Sequence, residues 1–409
     1  MELSTLTLPN GIRIIHQFIQ GPVSHCGVFV NAGSRDEEIE EHGLAHFIEH
    51  VIFKGTKKRT VFQVLNRLED VGADLNAFTS KEETCIYATF LTPYYDRTLE
   101  LISDICLNST FPGKEVEKEK VVVNDEIKSY KDNPSEQIFD DFEDMLFKGH
   151  PLGRNILGTP ANIKRFCTKD ILAFMKKNYV PGEIVIASVG NIDFKKLVLI
   201  ARRYFSEMTL SIRSNSRQGF TDYQPRKNTI KRKIYQTHSI IGTTAYALTD
   251  EKRYTLAFLN NILGGPALNS RLAIALREKN GLTYHIESNY HAFTDTGILT
   301  IYFGTDKRAL DKATDLVFRE TEKLRKQKLG IAQLQRAKKQ LIGQLSIGQE
   351  SNVNRMLTIG KSYLSVNEYI PLDMIVAKID RITPEQLQDT ANEILDPARL
   401  SSLVFVQSN

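Results

Sequence analysis

The chain reads as an α+β protein of two duplicated domains, each an antiparallel-rich β-sheet with helices packed on one face. Three observations carry this reading. Residues 72–105, GADLNAFTSKEETCIYATFLTPYYDRTLELISDI, alternate as strand, strand, then helix, and residues 281–317, GLTYHIESNYHAFTDTGILTIYFGTDKRALDKATDLV, repeat that order at similar spacing. A polar stretch, SIRSNSRQGFTDYQPRKN at 211–228, separates the two copies. At 409 residues the chain has room for about two to three domains with full cores, and the repeated unit is too long for a solenoid. The predicted boundaries are 1–210, a linker at 211–228, and 229–409.

Each half opens on strand-like alternation: GIRIIHQF from Gly11 and HSIIGTTAYA from His238. In the first half a helix follows, because Leu44, Phe47, Ile48, Val51 and Ile52 recur at helical spacing, with Gly55 placed as the residue just past its end. The segment TLAFLNNILGG is its counterpart in the second half. A further helix in each half ends at Gly72 or Gly281, before the strand pair. The stretch KEVEKEKVVVNDEIKSYKDNP, from Lys114, is helical, with Glu119, Val122, Val123 and Glu126 expected along one face.

Composition is that of an ordinary globular protein, with 25% charged and 41% apolar residues. A net charge of +4 is too small to imply a nucleic-acid partner, and the basic cluster Arg226, Lys227, Lys231, Arg232, Lys233 reads as a solvated linker and strand entry. Cys26, Cys85, Cys106 and Cys167 show no paired spacing and read as reduced, mostly buried thiols. The start, MELSTLTLPNGIRI, has neither a secretory nor an Arg-rich targeting pattern, and no apolar run approaches the ~18 residues of a membrane span. A cytoplasmic location, without membrane partner, is expected.

The chemistry concentrates in HFIEH at residues 46–50. His46 and His50 are four apart and project from one helix face, and Glu49 lies between them. Two neutral imidazoles and a carboxylate oxygen make a three-donor zinc site with a fourth position open for water, and Glu49 is placed to take that water's proton. Glu119 and Glu126, seven apart, point the same way from their helix. Facing inward, such an acidic pair needs a positive partner, either zinc or a ligand histidine; facing outward, it forms a solvated charge face.

The order His-x-x-Glu-His, with Glu126 following His50 by 76 residues, resembles the pitrilysin, insulin-degrading and mitochondrial-processing-peptidase family of zinc metallopeptidases, in a short two-domain bacterial-type form. LPNGIRI, NAGSRDE, GADLNAFTSKEET, HPLGRNILGT, NYVPGEIVIASVGNID and LREKNGLTY carry the similarity along the chain. The resemblance implies one Zn2+ per chain on His46, His50 and Glu126, Glu49 as general base and Glu119 as a companion acid that orients a ligand. It implies that Asn76 and Ala77 hold substrate on an edge strand. Arg277 and Tyr284, in the half without histidines, would reach the substrate and complete the catalytic set. It implies an endopeptidase acting on peptides or unfolded segments bound as an extended β-strand in a closed chamber. Family chambers use four such domains, so two chains are expected to assemble, as a homodimer or as a heterodimer with a related subunit. Non-catalytic processing-complex or scaffold subunits share this architecture, but the intact donors, Glu49 and the Arg/Tyr pair argue against that alternative.

Overall fold

A computed structural model describes residues 3–211, 213 and 217–408. Along the chain come β1 (Leu3–Thr7), β2 (Arg13–Phe18), β3 (Val23–Val30), α1 (Leu44–Val51), α2 (Val61–Glu69), β4 (Asp74–Thr79), β5 (Thr84–Leu91), α3 (Tyr95–Asn108), α4 (Gly113–Lys131) and α5 (Pro134–Leu146). Next are α6 (Pro160–Arg165), α7 (Thr168–Asn178), β6 (Ile184–Gly190), α8 (Phe194–Phe205), β7 (Lys227–Arg232), β8 (Thr237–Ala245) and α9 (Arg253–Gly264). The remainder is β9 (Ile286–Ala292), β10 (Gly297–Thr305), α10 (Leu310–Lys326), α11 (Ile331–Gly348), α12 (Asn352–Val366), α13 (Leu372–Arg381), α14 (Pro384–Ile394) and β11 (Ser401–Gln407).

These elements form two compact units. One comprises Met1–Lys128, Arg154–Arg217 and Gly348–Tyr369; the other comprises Ser129–Gly153, Gln218–Ile347 and Ile370–Asn409. Of the linker expected at 211–228, residues 212 and 214–216 lie outside the described residues. The chain changes unit at Arg217–Gln218. It also exchanges two segments that boundaries at 210 and 229 do not include, 129–153 and 348–369.

The first unit holds a six-stranded sheet in the order β1-β2-β6-β3-β5-β4 and the second a five-stranded sheet in the order β7-β11-β8-β10-β9. Among the described residues, only β2 and β6 pair in parallel in the first sheet and only β7 and β11 in the second. Strand for strand, β2-β6-β3-β5-β4 repeats the directions of β7-β11-β8-β10-β9, so the duplication is present in the pairing as well as in the sequence pattern.

One face of each sheet is covered by helices of its own half, giving the two main apolar clusters. The exchanged segments supply a helix for the opposite face. In the first unit, Met356, Ile359 and Leu364 of α12 pack on Phe29, Val185, Ala187 and Val189. In the second, Ile138, Phe142 and Leu146 of α5 pack against Ile240, Tyr302 and Phe405. This double cover explains why β6 is buried at every position and β3 at all but its first: an inner strand with both faces covered loses the apolar–polar alternation of a half-exposed one.

Both sheets end in edge strands. The basic cluster lies on and around β7, where exposed Lys227 and Lys231 discourage pairing with another strand. At the opposite end of each sheet are β4 and β9. Cys26, Cys85 and Cys106 are buried, Cys167 is exposed, and all four are free thiols. Among the described residues no helix is long and apolar enough to cross a membrane.

Candidate metal centre

The centre is built on α1, eight residues long and too short to persist alone in water. Packing holds it: Leu44, Phe47, Ile48 and Val51 are at most 1% exposed, and each such burial is worth about 1.5–3 kcal/mol. Ile52 is buried as well but serves as the C-cap, and Gly55 lies three residues beyond it, with φ 114° in the turn that follows rather than at the helix end. At the N-terminus Gly43 takes φ 95°, and a Cβ there would fall 2.6 Å from the Gly158 Cα. The two glycines let the backbones of GLAHF and ILGT approach.

With the apolar stripe turned inward, His46, Glu49 and His50 share the remaining face. His46 is buried, and Glu49 and His50 are half-buried. The two imidazole centroids are 4.7 Å apart. On α4 the buried stripe is Val116, Glu119, Val123 and Ile127, with Glu126 at its border, its side chain 42% exposed. Val122, expected on this face, is exposed: a step of about 100° from Val123 carries it past the border of the stripe.

The two helices bring three donors together. Glu126 Oε2 lies 3.2 Å from His50 Nε2, and its Oε1 lies 3.7 Å from His46 Nε2. One ligand atom from each residue fits within a 4.8 Å span. Tetrahedral zinc with bonds of about 2.0–2.1 Å needs donors roughly 3.3 Å apart, so the spacing fits that ion. Among the described residues this is the one group of three His, Cys, Asp or Glu able to converge on a metal. α9, the counterpart of α1, buries Phe258, Leu259 and Asn261 instead.

Supporting groups fix the donors. Glu119 Oε2 lies 3.4 Å from His50 Nδ1, and its Oε1 accepts from Lys54 Nζ at 2.7 Å. A carboxylate on Nδ1 holds that proton there and leaves the Nε2 lone pair facing Glu126. Burial, with the neighbouring His50 adding, pushes His46 down to about 4, so at neutral pH its imidazole is uncharged and able to donate its lone pair. Burial pushes the Glu49 carboxyl up. Hydrogen bonds from Thr79 and the nearby His50 oppose that shift, and Glu126 reinforces it. A carboxylate with raised proton affinity beside the donors suits a general base.

Thr79 is the last residue of β4, so the edge strand ends at Glu49. Along β4, Leu75 and Ala77 face the helix-covered core, while Phe78 packs with Tyr87 on the other face and Asn76 shares its side by alternation. The outer backbone edge of β4 is where the sheet stops. Arg277 and Tyr284 lie in the second unit. Arg277 sits near the end of a π-helix, Ala273–Glu278, its Nε 2.8 Å from Glu278; Tyr284 follows the positive-φ Gly281 and is 93% exposed. π-Helical turns are rare and frequent at functional sites.

Sequence reasoning missed Lys54 and Thr79. Lys54 had a usable signal, being four residues beyond His50 on the same helical spacing. Thr79 had none, because its role follows from where β4 ends in space.

The chain matches the family model described as Insulinase (Peptidase family M16) over residues 14–160, and the one described as Peptidase M16 inactive domain over residues 166–341. A Bacillus subtilis protein named as the uncharacterized zinc protease YmxG is 30% identical over 406 residues, 98% of either chain. An uncharacterized zinc protease of Streptomyces coelicolor is 31% identical, covering 95% of this chain and 86% of its own, and one of Rickettsia felis is 33% identical, covering 92% and 91%. Among solved structures, a protease from Helicobacter pylori superposes with a TM-score of 0.91 over 99% of both chains, at 20% identity. A peptidase M16 inactive domain from Pseudomonas fluorescens gives 0.93 at 20% identity, over 100% of this chain and 99% of its own. At that identity the two structures share a fold with this chain.

Proposed function

Because the chain belongs to the M16 peptidase family, we propose that it is a zinc-dependent endopeptidase cutting peptides or unfolded segments bound in extended form. The observation that carries this reading is the convergence of His46, His50 and Glu126 with Glu49 on the same face of α1. These three donors would hold the zinc, which supplies Lewis acidity and a water of lowered pKa. Glu49 takes the proton of the attacking water on its carboxylate and delivers it to the leaving amine. Glu119, braced by Lys54, keeps the His50 proton on Nδ1 throughout. Substrate adds as a strand to the free edge of β4, held by ladder hydrogen bonds to the outward-facing backbone groups of the stretch that contains Asn76 and Ala77, at the end nearest Glu49. The Arg277 guanidinium forks to a peptide carbonyl, and the Tyr284 hydroxyl donates to the oxyanion of the tetrahedral intermediate.

The test uses the purified full chain, zinc by elemental analysis, and a mixed peptide library read by mass spectrometry. One zinc per chain and internal cuts that stop on chelation are expected. Stoichiometric zinc without cleavage of any peptide would sink the peptidase reading.

The zinc donors and the Arg277/Tyr284 pair stand on separate halves, and one chain has half the domains of a four-domain chamber. We therefore assign the active form as a dimer, preferably of two identical chains, pairing the zinc half of one with the Arg/Tyr half of the other. Mixing Glu49→Gln protein with Tyr284→Phe protein is then expected to restore activity, since each mixed dimer contains one intact combination. Free exchange at equal concentrations gives about a quarter of the wild-type sites. No recovery despite exchange verified by native mass spectrometry means that each chain completes its own site.

A further inference from the structure

We propose that Glu37 is a positioning residue for the helix that carries the zinc donors, and that the strap Gly33–Glu37 sets that helix against edge strand β4. The inference rests on the reading of His46, Glu49 and His50 given above.

α1 has no cap of its own. Its N-cap, Gly43, has no side chain, and its first turn contains no acidic residue. A capping Ser or Asp cannot replace Gly43, because any Cβ there would meet the Gly158 backbone at 2.6 Å. The carboxyl group comes from upstream instead. Glu37, 3% exposed, accepts the Gly43 N–H at 2.9 Å on Oε2 and the Ala45 N–H at 2.8 Å on Oε1. Two orphan donors of the helix terminus are thereby satisfied by the two oxygens of one carboxyl group. Burial pushes the Glu37 carboxyl up to about 8 even with the hydrogen bonds from Ala45 and Gly43 and the charge of Arg154 holding it down. Each oxygen receives its own N–H.

The same strap is fastened at its other end. Ser34 N–H donates to the Ser80 carbonyl at 3.1 Å, and Arg35 N–H donates to the Lys81 carbonyl at 2.8 Å. The Arg35 guanidinium donates to Glu82 at 2.6 Å. Asp36 accepts the Gly33 N–H at 2.9 Å and pairs with Arg217 at 2.8 Å and with Arg213. Ser80, Lys81 and Glu82 belong to the turn that joins β4 to β5. One short segment therefore grips the end of the substrate strand through Ser34 and Arg35 and the first turn of the zinc helix through Glu37. Helix α1 is only two turns long, so a tilt at its N-terminus displaces His46, Glu49 and His50 together.

The experiment compares full-length wild type with Glu37→Gln, Glu37→Asp and Thr60→Ala. The last removes the cap of α2, where Thr60 accepts from Gln63 N–H, and serves as a matched loss of helix capping away from the centre. Zinc affinity is read by competition with a chromogenic chelator, donor geometry by the absorption of the cobalt-substituted protein, and catalysis by kcat and KM separately. Gln keeps one acceptor but turns an NH2 toward the other helix N–H. Glu37→Gln is expected to lose about 10- to 100-fold in zinc affinity, alter the cobalt spectrum, and lower kcat with KM nearly unchanged. Glu37→Asp keeps both carboxyl acceptors and is expected to recover part of the loss. Thr60→Ala is expected to lower the melting temperature while zinc affinity and kcat stay at wild-type values.

Wild-type zinc affinity and an unchanged cobalt spectrum in Glu37→Gln would overturn the inference. So would an equal loss of zinc affinity in Thr60→Ala, which would make the effect one of general stability. If Glu37→Gln does not fold, Glu37→Asp decides by the same comparison. Wild-type protein that binds no zinc overturns the functional reading itself, whereas wild type that binds zinc but cleaves nothing leaves the affinity and spectral comparison to decide the role of Glu37.

Discussion

Glu49→Gln is expected to retain one zinc per chain and to lose peptide turnover by about 10²–10⁴-fold, the range that a positioned general base contributes. The substitution is nearly isosteric and leaves His46, His50 and Glu126 untouched, so the metal should stay. What it removes is the ability to take a proton. Glu49 is suited to that task by its surroundings: burial raises its proton affinity, and Thr79 at the end of β4 holds it in place by hydrogen bonding. A glutamine can keep a hydrogen bond from Thr79 through its carbonyl, so fold and melting temperature should change little. The check is kcat on a quenched peptide together with elemental analysis of the same preparation. Turnover within tenfold of wild type, with zinc bound, would show that another group takes the proton.

The donor set was legible in the sequence because helical periodicity translates directly into geometry. His46 and His50 at i and i+4 share a face, and Glu119 and Glu126 at i and i+7 do so two turns apart. The 76-residue interval and the family resemblance then joined two helices that local patterns alone leave unconnected. The same periodicity misplaced Val122, which sits one residue, and so about 100°, from the buried Val123. It also put Gly55 at the helix end, where the C-cap is Ile52. A positive-φ glycine marks a turn without saying how far past the helix the turn lies.

The rest was hidden for a different reason. Arg35, Asp36, Glu37 and Glu82 are buried, yet charged residues in a sequence read by default as surface. Only the tertiary fold brings Arg217 to Asp36 and Glu37 to the first turn of α1. The helices α5 and α12 behave likewise. Their amphipathic patterns announce helices, but nothing local says that α5 is counted with the second sheet and α12 with the first. The near-continuous apolar run of β6, IVIASVG, was the available clue, since a strand buried along its whole length needs cover on both faces.

His50→Ala should lose zinc and activity together, and the comparison of melting temperatures with and without metal separates this from unfolding. Removing His50 takes away one of three donors, the one 3.2 Å from Glu126. Its loss should cost more than the about 10–100-fold typical of removing a group that merely supports a ligand. The metal-free variant should still fold. The His50 side chain is 23% exposed, so truncation opens no core cavity, and Glu119 keeps its bond to Lys54 at 2.7 Å. In wild type, zinc stabilises the native state by mass action, by about 4 kcal/mol when free metal is a thousand times the dissociation constant. In the variant the same metal concentration should move the melting temperature hardly at all. The two metal-free proteins should therefore melt close together and diverge only when zinc is added. A variant that keeps stoichiometric zinc through dialysis, or gains the same thermal shift as wild type, would mean that the metal is held by other donors.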